Sequence, residues 1–234
     1  MDSILTAFTD AFRLIIHFDA NLLGIILLSL KVSGLALVIA TCVGIPAGAA
    51  LGLAKFPGRG FAISAMNTGM GLPPVVVGLF VYLLLSRKGP LGFMGLLYSP
   101  SAMIIAQTIL ALPIVISLCR SAIKSVDPVI EQAARTLGAT RGQVIVTIIR
   151  EARYGILSAV ITAFGRVMAE VGAILIVGGN IAGYTRVMTT TIALETDKGN
   201  FELALALGII LLALSFIINA VLHSIQKKNS LEGF

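Results

Sequence analysis

Charged and metal-binding side chains are scarce in this chain. Only 12% of its 234 residues are Asp, Glu, Lys or Arg, whereas the share in soluble domains is about 25%. There is no tryptophan, and the two cysteines, Cys42 and Cys119, lie in apolar surroundings, so neither a disulfide framework nor a metal site is indicated. The Gly-x4-Gly-Lys-Ser/Thr pattern of a phosphate-binding loop is also missing. These absences argue against a water-soluble enzyme and against ATP binding by this chain alone.

Long apolar runs take the place of charge. Hydrophobic residues make up 57% of the chain, and its mean hydropathy is +1.01. A helix that crosses a bilayer needs about 20 apolar residues, and five segments meet this requirement: residues 22–54, 61–85, 102–119, 154–177 and 201–223. We therefore predict an all-α membrane protein with about five transmembrane helices over residues 21–224 and a tail at 225–234. Residues 1–20 are too short and too charged to cross, and we predict an amphipathic helix at the membrane interface.

The distribution of Lys and Arg predicts the orientation. The net charge of +6 would suggest nucleic-acid binding in a soluble protein, but in a membrane protein basic residues accumulate on the cytoplasmic side. With the N-terminus outside, ten basic residues fall in cytoplasmic segments and five in outer segments. The ten are Lys55, Arg59, Arg120, Lys124, Arg135, Arg141, Arg150, Arg153, Lys227 and Lys228, and the five are Arg13, Arg87, Lys88, Arg186 and Lys198. We predict the N-terminus outside, the C-terminus inside, and no nucleic-acid partner.

Small residues and prolines interrupt the spans. Gly44, Gly48 and Gly52 repeat every four residues on one helical face, which favours close helix packing within the chain over a contact between two copies. The Pro73-Pro74 pair predicts a break in the second span, and carbonyl groups freed there must face protein or a water-lined path.

The hydroxyl-rich run Thr189-Thr190-Thr191 lies in an outer segment. With Pro73 and Pro74, the residues Thr189 and Thr190 are candidates for an outer gate. A capped helix on the outer surface explains the run equally well.

The main hydrophilic segment on the predicted cytoplasmic side is 120–153. Asp127 followed by proline predicts a helix start. An apolar stripe at helical spacing follows, formed by Val129, Ile130, Ala133, Ala134 and Leu137. Gly138 interrupts it, and Thr140 with Gln143 has the spacing of a capping box that opens a second helix. Because this helix-turn-helix is tied to membrane spans at both ends, we predict a docking surface for a cytoplasmic partner rather than a DNA-binding element.

One stretch of this segment is specific to a family. Residues 131–139, Glu-Gln-Ala-Ala-Arg-Thr-Leu-Gly-Ala, resemble the EAA loop of bacterial and archaeal ABC importer permeases. Gln132 stands at the motif's glutamate position, and Arg150-Glu151 replaces its later Leu-Pro. The resemblance implies a type I ABC importer permease fold in a prokaryotic inner membrane. It also implies a short coupling helix that sits in a cleft of an ATP-hydrolysing subunit, with five residues in coupling: Glu131, Ala134, Arg135, Gly138 and Arg141.

Further stretches narrow the substrate class. Residues 165–173 are similar to permeases for molybdate, tungstate and sulfate, and residues 150–155, 178–183 and 189–195 resemble the tungstate-type branch most. The resemblance implies import of an oxyanion, tungstate or molybdate, by two copies of this chain. It also implies two ATP-binding subunits that carry ATP and Mg²⁺, and an extracytoplasmic oxyanion-binding protein. A methionine-type or other small-solute permease and a stand-alone carrier or channel are the alternatives.

Two ionisable residues lie inside the fourth span. Arg166 and Glu170 are one helical turn apart and lie about 18 Å and 24 Å along the helix from Tyr154 at 1.5 Å per residue. Charges at such depth face protein or water because exposure to lipid costs at least about 2.5 kcal/mol. We expect either a structural i,i+4 ion pair or an Arg166 that faces the transport route, where its guanidinium matches a tetrahedral oxyanion.

Overall fold

The computed structural model describes residues 20–231, and within them the chain forms ten α-helices, one 3₁₀ turn and no strand. The predicted interfacial helix at 1–20 therefore falls almost entirely outside the described residues. The helices are α1 (Ala20–Leu53), α2 (Arg59–Gly69), α3 (Pro74–Leu85), α4 (Pro100–Lys124), α5 (Pro128–Thr136), α6 (Arg141–Glu151), α7 (Arg153–Met168), α8 (Gly172–Gly178), α9 (Met188–Asp197) and α10 (Phe201–Leu231), with the 3₁₀ turn at Gly92–Met94.

Five crossings are present if broken spans are included. The segments Asn21–Leu53, Pro100–Lys124 and Phe201–Val221 are long and apolar enough to cross a membrane alone. Two further pairs, α2 with α3 and α7 with α8, reach this length together. The all-helical architecture and the number of spans agree with the prediction. The helix boundaries differ, because α4 continues into the segment assigned to the cytoplasmic loop and α10 continues into the segment assigned to the tail.

Helix α1 packs closely along α4. A Cβ atom added to Gly48 would lie 2.8 Å from both the Ile116 carbonyl oxygen and Cys119 Cβ, and one added to Gly44 would lie 2.7 Å from Val115 Cγ1. Only glycine at these positions lets the two backbones approach this closely. The glycine repeat therefore packs within the chain, as expected.

The second and fourth spans are both broken. Helices α2 and α3 are bent by 107° across Met70–Pro73, where the Pro73-Pro74 pair ends one helix and opens the next. Helices α7 and α8 are bent by 58° between Met168 and Gly172. The two breaks are neighbours, since a Cβ on Gly172 would lie 2.8 Å from Val75 Cγ2 and one on Gly78 would lie 2.7 Å from Ala173 Cα. The short helices α3 and α8 therefore pack directly against each other.

Candidate coupling surface and transport route

Local hydrogen bonds define the helix-turn-helix between the third and fourth spans. Asp127 Oδ1 accepts from the Val129 amide at 2.8 Å and caps α5, while the Thr140 and Gln143 side chains form the reciprocal capping box of α6. At the end of α5, the Ala139 amide donates to the Ala134 carbonyl and the Gly138 amide donates to the Arg135 carbonyl. This is a Schellman ending, which requires a left-handed residue, and Gly138 has φ of +82°. Each of the predicted caps is confirmed.

The inner side of this unit belongs to the core of the membrane domain. Val144 and Ile148 of α6 are buried in one cluster with Ile123 of α4 and Ile156 of α7, and Ala134 of α5 packs against it. A cavity of about 110 Å³ between α5 and the end of α1 is lined by Leu53, Ile123, Lys124, Val126, Asp127, Pro128, Glu131 and Ile148. Because close-packed side chains move together, Ala134 is a contact through which a displacement of α5 can reach the core shared by the first, third and fourth spans.

The outer side of the unit carries exposed apolar and charged groups. Leu137 is 87% exposed and Val129 is 62% exposed. Of the apolar stripe, Val129, Ala133 and Leu137 are therefore exposed, while Ile130 and Ala134 are half-buried. Beside these side chains, Arg135 Nη2 lies 2.8 Å from Glu131 Oε1 in an exposed i,i+4 ion pair.

We define the coupling surface as Val129, Glu131, Arg135, Leu137 and Arg141. Arg141 is exposed in the first turn of α6, where the helix dipole disfavours a positive charge. Three of the five predicted coupling residues, Glu131, Arg135 and Arg141, lie on this surface. Ala134 and Gly138 instead support it from below and from the turn. Leu137, the last residue of the apolar stripe, is exposed beside the glycine that ends the helix.

The expected ion pair between Arg166 and Glu170 does not form. Helix α7 ends at Met168, so the two residues no longer share an i,i+4 helical face. Glu170 is buried in the break, and its Oε1 accepts from the Ala173 amide at 3.0 Å in the first turn of α8. Among the described residues, the salt bridges are Glu131–Arg135 and Glu195–Lys198. Arg166 therefore lies at the end of α7 without that partner.

The threonine run lies inside the protein and contacts the break. Thr189, Thr190 and Thr191 are buried in the first turn of α9, so the interpretation as an outer-surface helix is wrong. Thr189 Oγ1 donates to the Glu170 carbonyl at 2.9 Å, while Thr190 Oγ1 accepts from the Val187 amide and closes the start of α9. The structure thus joins Thr189 to the break in the fourth span. Pro73 is exposed at the neighbouring break, and a gate role for these residues stays a prediction.

One face of α7 is polar and exposed although the helix lies in a membrane span. Thr162, Gly165 and Ala169 are exposed, and Arg166 on the same side is half-exposed. Towards the start of α7, a groove of about 300 Å³ between α4 and α7 is lined by Leu118, Ser121, Ala122, Ser125, Gly155, Ser158, Ala159 and Thr162. A span surface made of hydroxyl, small and charged residues faces protein or water rather than lipid. We call this surface the polar face of α7.

A charged cluster joins α9 to α10 outside the spans. The buried Glu195 carboxylate accepts from Lys198 Nζ at 2.9 Å and from Asn200 Nδ2 at 3.0 Å. The hydrogen bond from Lys198 holds the pKa of Glu195 below its ordinary range, although burial opposes this. Nearby, Arg186 Nη2 donates to the Asn180 carbonyl at 3.3 Å. This cluster fixes the turn that leads into the last span.

Residues 44–230 match the family described as "Binding-protein-dependent transport system inner membrane component". The chain belongs to this family. It is therefore a membrane-embedded transport subunit.

The chain is 45% identical over 97% of its length to the whole of the tungstate uptake system permease protein TupB of Peptoclostridium acidaminophilum. It is also 37% identical to TupB of Campylobacter jejuni over 97% of this chain and 95% of that protein. Its identity to the molybdenum transport system permease protein ModB of Escherichia coli K12 is 36%, over 82% of this chain and 88% of that protein.

Solved structures give the same fold. The structure of a bacterial alginate ABC transporter in complex with a pentasaccharide-bound periplasmic protein superposes with a TM-score of 0.75 at 18% identity, covering 97% of this chain and 88% of that one. A chain of an inward-facing MetNI methionine ABC transporter superposes with a TM-score of 0.70 at 17% identity, covering 86% of this chain and 92% of that one. The fold is that of type I ABC importer permeases, as predicted.

Proposed function

We propose that this chain is the permease of a tungstate importer. The observation that carries the proposal is its 45% identity to a tungstate uptake permease over essentially the full length of both chains. The second such permease is also similar over 97% of this chain, whereas the molybdenum permease is similar over a smaller share. This pattern favours tungstate over molybdate as the main oxyanion.

We propose that transport is driven by ATP hydrolysis in a pair of ATP-binding subunits that dock on the coupling surface. Two copies of the permease enclose one route, since five spans are too few to surround a path alone. ATP and Mg²⁺ are held by the partner subunits, and an extracytoplasmic protein delivers the oxyanion. Exposed Leu137 and Val129 provide apolar contact area, while Arg135 and Arg141 provide charge for a partner's cleft. ATP-driven closure then pushes α5, whose Ala134 packs against the core that three spans share.

The polar face of α7 is the proposed wall of the route. Arg166 places a positive charge beside a path for a dianion, and its planar guanidinium can donate two hydrogen bonds to a tetrahedral oxyanion. The charge of Glu170 is directed to the first turn of α8, with its Oε1 on the Ala173 amide. Glu170 therefore supports the break beside the route and is not the counter-ion of Arg166.

The test is ATP hydrolysis by the full complex in lipid, with its binding protein, on addition of tungstate, molybdate, sulfate or methionine. We expect tungstate to stimulate hydrolysis at the lowest concentration. Stimulation by methionine alone would assign the chain to a methionine-type importer. Uptake by the isolated chain in liposomes without ATP would instead identify a stand-alone carrier, and either result would overturn the proposal.

A further inference from the structure

A small cavity lies where six helices meet. Its lining comes from α1, α4, α7, α8, α9 and α10, with Val187 at the start of α9: Ser29, Val32, Ser33, Gln107, Val167, Met168, Ile174, Val187, Met188, Thr189 and Leu211. The cavity offers about 10 Å³ to the centre of a water-sized sphere. By this measure a cavity needs about 10–15 Å³ to hold one water molecule. The lining contains hydroxyl and amide groups but no charged side chain.

Gln107 lines this cavity and carries an acceptor without a partner. Its side chain is 1% exposed, and Nε2 donates to the Val167 carbonyl at 3.0 Å and to Ser33 Oγ at 3.3 Å. Because a carbonyl only accepts, the Val167 bond fixes Nε2, and therefore Oε1, in place. Within the described part of the chain Oε1 is buried and has no hydrogen-bond partner. A buried acceptor left in this state costs about 1–3 kcal/mol, so a partner is expected.

Two serine hydroxyls complete the set of groups that a water molecule requires. Ser33 Oγ accepts from Gln107, so its hydroxyl hydrogen remains available for donation. Ser29 Oγ donates to the Ile25 carbonyl and accepts from the Met188 amide, so one of its lone pairs remains for a second donor. One water can thus accept from Ser33 and donate to Gln107 Oε1 and Ser29 Oγ. These three bonds are typical of buried waters.

We propose that this cavity is a binding site for a single structural water, with Gln107 as its positioning residue. The water joins α1 to α4 beside the last turn of α7, where Gln107 already holds the Val167 carbonyl. It thereby fixes the start of the break that separates Arg166 from Glu170. A metal cation is disfavoured because the lining provides no carboxylate. The proposal stands independently of the identity of the transported anion.

The test is radiolytic hydroxyl labelling of the complete complex in lipid, read residue by residue by mass spectrometry. X-ray pulses produce hydroxyl radicals from bound water, and these oxidise methionines that line the water site, here Met168 and Met188, even where bulk solvent has no access. Met188 and Met103 are both fully buried, but only Met188 lines the cavity. We expect oxidation of Met188, insensitive to a bulk radical scavenger, and no oxidation of Met103.

Variants test the role of Gln107 directly. Gln107→Leu and Ser33→Ala each remove a partner of the water, so Met188 oxidation should be lost in both. Thr108→Val is the matched control on α4, because the Thr108 hydroxyl also reaches α1, with 2.7 Å to the Ile104 carbonyl and 3.5 Å to the Ala36 carbonyl, but does not line the cavity. This control should keep the labelling.

Three results would overturn the proposal. The first is Met188 oxidation as low as that of Met103, and the second is oxidation that the bulk scavenger abolishes. The third is oxidation unchanged by loss of the Gln107 amide. If Gln107→Leu fails to assemble, the wild-type comparison of the two methionines and the Ser33→Ala variant decide the question.

Discussion

At Gly138 the backbone conformation determines which substitutions the α5–α6 turn can accept. Its φ of +82° is left-handed, yet an added Cβ would meet nothing within 4 Å. A side chain there is therefore opposed by strain and not by space, at about 1–2 kcal/mol for most L-residues and less for asparagine. We expect Gly138→Val to distort the α5–α6 turn and to uncouple ATP hydrolysis from uptake, while Gly138→Asn keeps most coupling.

The measurement for Gly138 is the ratio of tungstate uptake to ATP hydrolysis at matched amounts of complex. Gly142 also has open space around its Cβ position but has no left-handed φ, so Gly142→Val is the control for bulk alone. Equal loss in Gly138→Asn and Gly138→Val would mean that partner contact, rather than backbone geometry, sets the requirement for glycine.

Glu195 makes the stability of the turn between α9 and α10 depend on pH. Because its pKa is lowered by Lys198, the carboxylate stabilises the fold above the ordinary glutamate range, and this contribution is lost as the pH falls through the lowered pKa. Glu195→Gln should lower the thermal midpoint of the purified permease complex at neutral pH. The gap between wild type and variant should shrink as the solution is acidified below that range. If the difference in thermal midpoint stayed constant as the pH fell, the variant would destabilise the protein through the changed shape of the side chain and not through its lost charge.

At the scale of elements, the contrast between α5 and α9 shows what local sequence determines. Asp127 and the Thr140–Gln143 capping box act within one turn, so their hydrogen bonds follow from spacing alone. The burial of Thr189 depends instead on Glu170, nineteen residues away, whose carbonyl accepts its hydroxyl. Nothing local to a threonine run distinguishes an outer surface from a packed interior, so the wrong alternative remained open.

The packing of α1 on α4 gives a prediction with a control on the same helix. A Cβ on Gly48 would lie 2.8 Å from a backbone oxygen that cannot rotate away, whereas a Cβ on Gly34 would meet nothing within 4 Å. Gly48→Ala should destabilise the permease by about 1–3 kcal/mol, as overpacking does. Gly34→Ala should be neutral or slightly stabilising, because alanine is the better helix former by about 1 kcal/mol.

Thermal unfolding in detergent and the yield of assembled complex would measure both glycine variants. A Gly48→Ala protein as stable as Gly34→Ala would show that α1 and α4 separate easily. The close approach described for the two helices would then not be needed for stability.

At the scale of the whole molecule, the sequence predicted the spans and the family. It did not predict what happens in the middle of the fourth span, because an i,i+4 spacing has meaning only while the helix continues. The end of α7 at Met168 directs Glu170 to α8. Gln107 also shows that a distant contact cannot be predicted from local sequence. A single amide side chain in an apolar run indicates that it has a partner inside the protein, but not that this partner is the Val167 carbonyl, 60 residues away.

Because Arg166 is not paired with Glu170, its substitution tests directly whether the Arg166 side chain attracts the transported anion. Arg166 lies in the last turn of α7 on the polar face, so its removal should leave the core intact and reduce attraction for the dianion. Hydrogen bonds to charged groups contribute about 1.5–3 kcal/mol, and each 1.4 kcal/mol is about tenfold. Arg166→Ala should therefore lower tungstate uptake by roughly tenfold or more, and Arg166→Lys should retain part of it because the charge remains.

The matched control for Arg166 is Arg153→Ala, which removes the same charge from the other end of the same helix. Arg153 stacks on the Tyr154 ring, with Cζ 4.7 Å from the centroid, at an exposed position outside the polar face. Tungstate uptake into cells, divided by the amount of assembled complex, is the measurement. If both alanine variants transport equally well at equal complex levels, Arg166 does not act on the substrate. The polar face would then be a contact between the two permease copies, because small and hydroxyl side chains in a span otherwise serve close helix packing.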